Sequence, residues 1–147
     1  MKVLVAVDGS EPSNRAVSFA AELLRGREVE MVLLHVVEEP GYVGVWADGL
    51  MTPEVVVTPP DIREELKRRA EGILETARGK MVERGLTPRT EIRWGNPAAE
   101  IIDEARAGGY DLVVLGTHGH GALRGFLMGS VSDRAARHAP CPVLLVR

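Results

Sequence analysis

The sequence predicts a single-domain α/β fold: a five-stranded parallel sheet with helices on both faces. Three observations carry it. Short β-branched apolar runs alternate with stretches of helical period along the chain. Such alternation gives a parallel sheet covered on both faces. The 147 residues suffice for one domain, spanning 1–147, with a substantial core.

Lys2–Val7 is apolar and β-branched and reads as the first buried strand. Asp8-Gly9-Ser10 breaks it. Ser10 or Ser13 is suited to cap the next helix and Pro12 to its first turn. Ala16, Val17, Ala20, Ala21, Leu23 and Leu24 recur at helical spacing, and Gly26 ends that helix. Val29–Val37 is the second strand. Its His35, set among Leu and Val, reads as a satisfied core histidine.

Residues 38–60 show neither helical nor strand period and hold seven Gly and Pro residues, so they read as a long loop. Tyr42, Trp46, Leu50 and Met51 give it apolar anchors for a ligand or a partner subunit. The longest helix is expected from Asp61, with Glu64 completing a loose capping box. Its apolar stripe is Ile62, Leu66, Ala70, Ile73, Ala77 and Met81; its other face is charged and solvated, and Gly85 stops it.

Arg89–Trp94 is the third strand. Arg89, Glu91 and Arg93 at alternate positions suit a sheet edge. Asn96 caps a helix opening on Pro97, with Ile101, Ile102 and Ala105 toward the sheet and Gly108-Gly109 at its end. Leu112–Leu115 is the fourth strand. Ser130 is placed to cap the last helix, with Asp133 reaching back, and Val143–Val146 is the fifth strand. Right-handed crossovers favour the strand order 3-2-1-4-5. That order reverses between the first and fourth strands, where ligands bind at the C-terminal strand ends. Asp8 and Gly116 therefore meet at one crevice.

Composition narrows the function. A formal net charge of −3 argues against a general nucleic-acid binder. No apolar run approaches the ~20 residues of a membrane span, and no secretory signal is visible at the N-terminus. The single cysteine, Cys141, has no internal disulfide partner. A cytoplasmic location is the expectation. Fifteen of the 18 basic residues are Arg, and there are two Asn and no Gln. Few thermolabile amides would suit a thermophile, and a high-GC genome explains the arginine bias equally well.

The stretch Gly116–Ser130, GTHGHGALRGFLMGS, carries five glycines between a strand and a helix start. Backbone N–H groups at a helix start bind anions. Gly129, Ser130, Val131 and Ser132 would supply those donors and two hydroxyls to a phosphate. Gly116 and Gly119 would let the chain run close to a ligand. Neither the G-x-x-x-x-G-K-[ST] loop nor the G-x-G-x-x-G fingerprint is present. Asp8 reads either as a turn former or as an acceptor for ribose hydroxyls and a ligand for Mg2+ or Mn2+. Arg124 reads either as a solvated side chain or as a partner for outer phosphates. His118 and His120 lack the nearby Cys or carboxylate of a zinc site. No nucleophile–base pairing stands out, and Cys141 between Pro140 and Pro142 reads as structural.

Gly116-x2-Gly119-x9-Gly129-Ser130 resembles the G-x2-G-x9-G-[ST] motif of the ATP-binding subclass of the universal stress protein family. The resemblance extends to KVLVAVDGSEPS, LLHVV, GNPA, DLVVLGTHG and APCPVLLVR. It implies an adenine nucleotide alpha-hydrolase-like fold and an ATP-binding regulatory protein with little or slow hydrolysis. It also implies that Asp8 contacts the nucleotide, that Ala6 and Val36 line the adenine pocket, and that Leu115, Thr117 and His118 flank it. A homodimer through Val143–Val146 is expected, because that apolar edge carries no charge and family members often pair there. A Mg-dependent ATPase or phosphotransferase, and a partner-binding module with incidental nucleotide, are the competing expectations.

Overall fold

The structure, a computed structural model, describes the chain apart from residues 39–41, 48–49, 56–57 and 120–127, and describes 42–47 and 50–55 by backbone alone. Strand β1 (Lys2–Ala6) leads to helix α1 (Glu11–Leu24) and strand β2 (Glu30–Glu38). Strands β3 (Tyr42–Ala47) and β4 (Leu50–Val55) follow, then helix α2 (Pro60–Val82) and strand β5 (Arg89–Gly95). Helix α3 (Pro97–Gly108), strand β6 (Leu112–Gly116), helix α4 (Ser130–His138) and strand β7 (Val143–Val146) complete the chain.

The main sheet runs β5-β2-β1-β6-β7, and its pairs are parallel. Counting its own strands in chain order, this is the predicted 3-2-1-4-5. Successive side chains of a strand point to opposite faces. In β1, Val3 and Val5 join one core cluster with Val17 and Leu24 of α1 and Met81 of α2. Leu4 and Ala6 join the other, with Ile101 and Ala105 of α3 and Ala135 of α4. Both faces are apolar, so β1 reads as a continuous run. Leu4 and Leu33 are each 0% exposed, and burial of such a side chain contributes about 1.5–3 kcal/mol.

Strand β5 forms the charged edge that the sequence anticipates. Arg89 pairs with Glu30, and Arg93 with Glu91, Glu100 and Glu104. The Tyr110 hydroxyl donates to the buried Glu104 at 2.8 Å. Burial, then the hydrogen bond and charge of Glu104, push the Tyr110 phenol above its usual range.

Several local expectations are corrected. Residues 38–60 are not a featureless loop: β3 and β4 form an antiparallel pair, with Ala47 opposite Leu50 and Tyr42 opposite Val55. Its sequence signal was Asp48-Gly49 between two apolar runs, a dipeptide favoured between hairpin strands. Pro53 masked it, because proline reads against a strand interior but is tolerated in an edge ladder. Helix α2 begins at Pro60 behind Pro59, with no side-chain cap, so Asp61 lies inside the first turn rather than ahead of it. Ile62 and Leu23 are 49% and 43% exposed; the α2 core contacts come from Ala70, Leu74, Ala77 and Met81.

Candidate functional site

Chain reversal in the sheet decides where a cavity opens. Strand β1 pairs with β2 on one side and with β6 on the other, and the helices that follow β1 and β6, α1 and α4, pack on opposite faces of the sheet. A cavity of about 540 Å³ lies there, within the range of small-molecule sites. Part of its wall is apolar: Ala6, Leu34, Val36 and Leu115 from the strands, with Pro97 and Ile101 from α3. Its polar lining includes Asp8, His118, Ser130 and Arg134.

The Asp8–Ser13 turn is closed by its own side chains. Asp8 Oδ1 accepts from Ser10 N at 2.9 Å, and Asp8 N donates to Ser13 Oγ at 3.1 Å. Ser10 caps α1 by accepting from Ser13 N at 3.3 Å. Asp8 is thus a turn former that also lines the cavity.

The second connection is tied at both of its described ends to one carbonyl. Thr117 O accepts from Gly129 N at 2.7 Å and from Ser132 Oγ at 2.7 Å. Thr117 N donates to Val146 O at 2.9 Å, which anchors the loop to β7. Thr117 itself is 6% exposed and lies behind the cavity wall. Its Oγ1 lies 3.0 Å from His118 Nδ1. Gly129, with φ −76 and ψ 160, is the N-cap of α4 and makes no side-chain cap. The expected Ser130 cap and Asp133 reach-back are therefore not formed; Asp133 holds Arg137 with both oxygens at 3.0 Å. Without a capping side chain, the first-turn N–H groups of α4 keep their anion-binding capacity.

Gly116 and Gly119 serve close approach, not unusual backbone angles. Among the described residues, positive φ occurs at Gly9, Gly26, Gly85, Gly95 and Gly109, none of them in the Gly116–Ser130 stretch. A Cβ on Gly116 would come within 2.7 Å of the Pro12 carbonyl carbon. That glycine admits the start of α1. A Cβ on Gly119 would come within 2.5 Å of Asp8 Oδ2, so this glycine brings the two connections together.

Of the expected site residues, Ala6, Asp8, Val36 and Leu115 line the cavity, as do Gly116, His118 and Gly119. Gly129, Ser130, Val131 and Ser132 line it too. The Ser132 hydroxyl, however, is committed to Thr117 O and Gly129 O and positions the loop. Arg124 and His120 lie outside the described residues. Among the described residues no group of three His, Cys, Asp or Glu side chains could hold a metal. His35 Nδ1 meets Val7 O at 2.7 Å, a satisfied histidine. Cys141 packs against the second core cluster, and burial raises its thiol pKa.

Sequence reasoning missed the α3 wall and Arg134. Both had signals. Helix α3, like α4, starts at the C-terminal end of the sheet, and its Asn96 cap accepts from Ala99 N at 3.1 Å. Arg134 stands four residues after Ser130, on the same helix face.

The whole chain, residues 1–147, matches the family described as Universal stress protein family. The chain belongs to that family. It is 36% identical to "Universal stress protein YxiE" of Bacillus subtilis over 147 residues, covering 99% of this chain and 98% of that one. It is similar in structure to universal stress protein UspA from Lactobacillus plantarum, with TM-score 0.81 and 24% identity, covering 100% and 97% of the two chains. A universal stress protein family protein from Arabidopsis thaliana with AMP bound superposes with TM-score 0.66 and 25% identity, covering 99% and 90%. Among the described residues, no helix is long and apolar enough to cross a membrane.

Proposed function

We propose that this universal stress protein is a regulatory protein that binds ATP in the cavity at the C-terminal ends of β1 and β6. One observation carries the reading: the cavity joins an apolar wall to an uncapped helix start at the point where strand order reverses. The base would lie against Ala6, Val36 and Ile101, and the phosphates at Gly129, Ser130 and Val131. The AMP-bound Arabidopsis relative supports an adenine nucleotide as the ligand class.

A protein-only metal site does not fit the described residues. Asp8 fits as a single carboxylate ligand to Mg2+ or Mn2+ carried in with the phosphates, the cation supplying charge neutralisation there. Its Oδ1 is engaged by Ser10 N, and the Thr117 hydroxyl lies against His118 Nδ1, so neither Asp8 nor His118 is positioned as an unencumbered base. Hydrolysis is accordingly slow or absent, and the nucleotide acts as a signal. The apolar edge of β7 pairs with a second copy to give a homodimer.

The test is to titrate ATP and AMP, with Mg2+, into the protein and a Gly129→Leu variant by calorimetry. Even an added Cβ at Gly129 would lie 3.3 Å from Thr117 O and 3.5 Å from His118 Cα. Binding by the parent and its loss in the variant is the expected result. Equal binding by both would place the ligand elsewhere.

A further inference from the structure

We propose that Arg134 makes the cavity selective for polyanions, so that affinity rises with the number of phosphates on the ligand. This deepens the nucleotide reading, and rests on it for the base but not for the anion. Among the described residues lining the cavity, Asp8 and Glu38 bring negative charge, and Arg134 is the one Lys or Arg. A polyanion entering there meets two carboxylates, and one permanently charged guanidinium offsets them.

Arg134 is available for that task. Elsewhere on the helices, arginines pair with carboxylates three or four residues away: Arg15 with Glu11, Arg69 with Glu65, Arg78 with Glu75, Arg106 with Asp103. Arg137 does the same with Asp133 on α4 itself. The sequence denies Arg134 such a partner. Ser130 and Val131 precede it at those spacings, and Arg137 and His138 follow it. Among the described residues it makes no ion pair or hydrogen bond. Side chains lean toward the start of their helix. The Arg134 stem therefore leads back toward Ser130, where the first-turn N–H groups of α4 lie.

A guanidinium beside phosphate oxygens makes charge-assisted, fork-shaped hydrogen bonds that a neutral nucleoside cannot accept. Adenosine, AMP, ADP, ATP and inorganic tripolyphosphate should be titrated separately into the parent, Arg134→Gln and Arg134→Lys, at one fixed salt concentration. Expected for Arg134→Gln is a loss of about tenfold to a hundredfold for ATP and tripolyphosphate. AMP should lose less, and adenosine should stay within about twofold. Arg134→Lys should recover part of the loss, since it keeps the charge and loses the fork. Unchanged melting of the ligand-free variants is expected, because the side chain is exposed.

Equal losses for adenosine and ATP would overturn the proposal and make Arg134 a stacking partner for the base. No loss for any ligand would overturn it as well. Arg134-dependent binding of tripolyphosphate without any gain from the adenosine moiety would support the proposal while removing the nucleotide reading. If the parent binds neither tripolyphosphate nor any nucleotide, both fall.

Discussion

Replacing Gly116 with alanine tests what the first glycine of the motif is for. The new Cβ would lie 2.7 Å from the Pro12 carbonyl carbon, 2.8 Å from Ser13 N and 3.0 Å from Pro12 Cβ. Ordinary contact begins at 3.4 Å, so the start of α1 and the end of β6 must separate by about 0.7 Å. Two of these neighbours are backbone atoms and cannot swing away. Ser13 N is also held by the Ser10 cap. Overpacking of this kind costs about 1–3 kcal/mol. For a chain of this size that is a melting temperature lower by roughly 3–10 °C. The control is Gly119→Ala, whose Cβ meets only the far end of the Asp8 side chain. The Asp8 Oδ2 end is a side-chain end that can shift, at the expense of strain on the Oδ1 bond to Ser10 N, so the cost should stay below about 1 kcal/mol. Urea unfolding of the two variants beside the parent reads both effects. The packing argument is refuted if Gly116→Ala is as stable as the parent, or if Gly119→Ala is equally harmful.

Ser132→Ala should cost about 0.5–1.5 kcal/mol, seen as an earlier urea midpoint. Thr117 O keeps the Gly129 N–H, so no acceptor is orphaned. Tyr110→Phe should flatten the fall of stability in alkali. The folded-state phenol ionises above its usual pKa of about 10, so the unfolded chain loses that proton first. The associated stability is present below about pH 10 and declines as pH rises from there toward the folded-state value. Urea midpoints between about pH 9 and 11 would show a steep slope for the parent and a shallower one for the variant. Light scattering should give twice the 15.9 kDa chain mass at micromolar concentration. A monomer mass would remove the β7 pairing.

The architecture was legible because it rests on repeated burial. Strands β1, β2, β6 and β7 are mainly apolar runs, and helical stripes such as Ala16, Val17, Ala20 and Leu24 recur at the turn of the helix. Strand order followed from crossover handedness, and with it the place of the cavity. Cap residues were less legible. Gly129 and Ser130 can each occupy an N-cap, and the choice falls to the Thr117 carbonyl, which lies twelve residues away in sequence and holds Gly129 N. The roles of the motif glycines were also hidden. Glycine signals permissiveness in sequence, but only the fold reveals that Pro12 fills the space beside Gly116. The cavity wall from α3 had a local signal in the Asn96-Pro97 helix start, but that α3 packs beside α4 on one face of the sheet is a tertiary fact.

The most direct test of the nucleotide account is to purify the protein without added nucleotide, denature it, and resolve what is released by anion exchange. The account predicts near-stoichiometric ATP or ADP from the parent and none from Gly129→Leu. Release of nothing, together with no binding of titrated Mg-ATP, would contradict it.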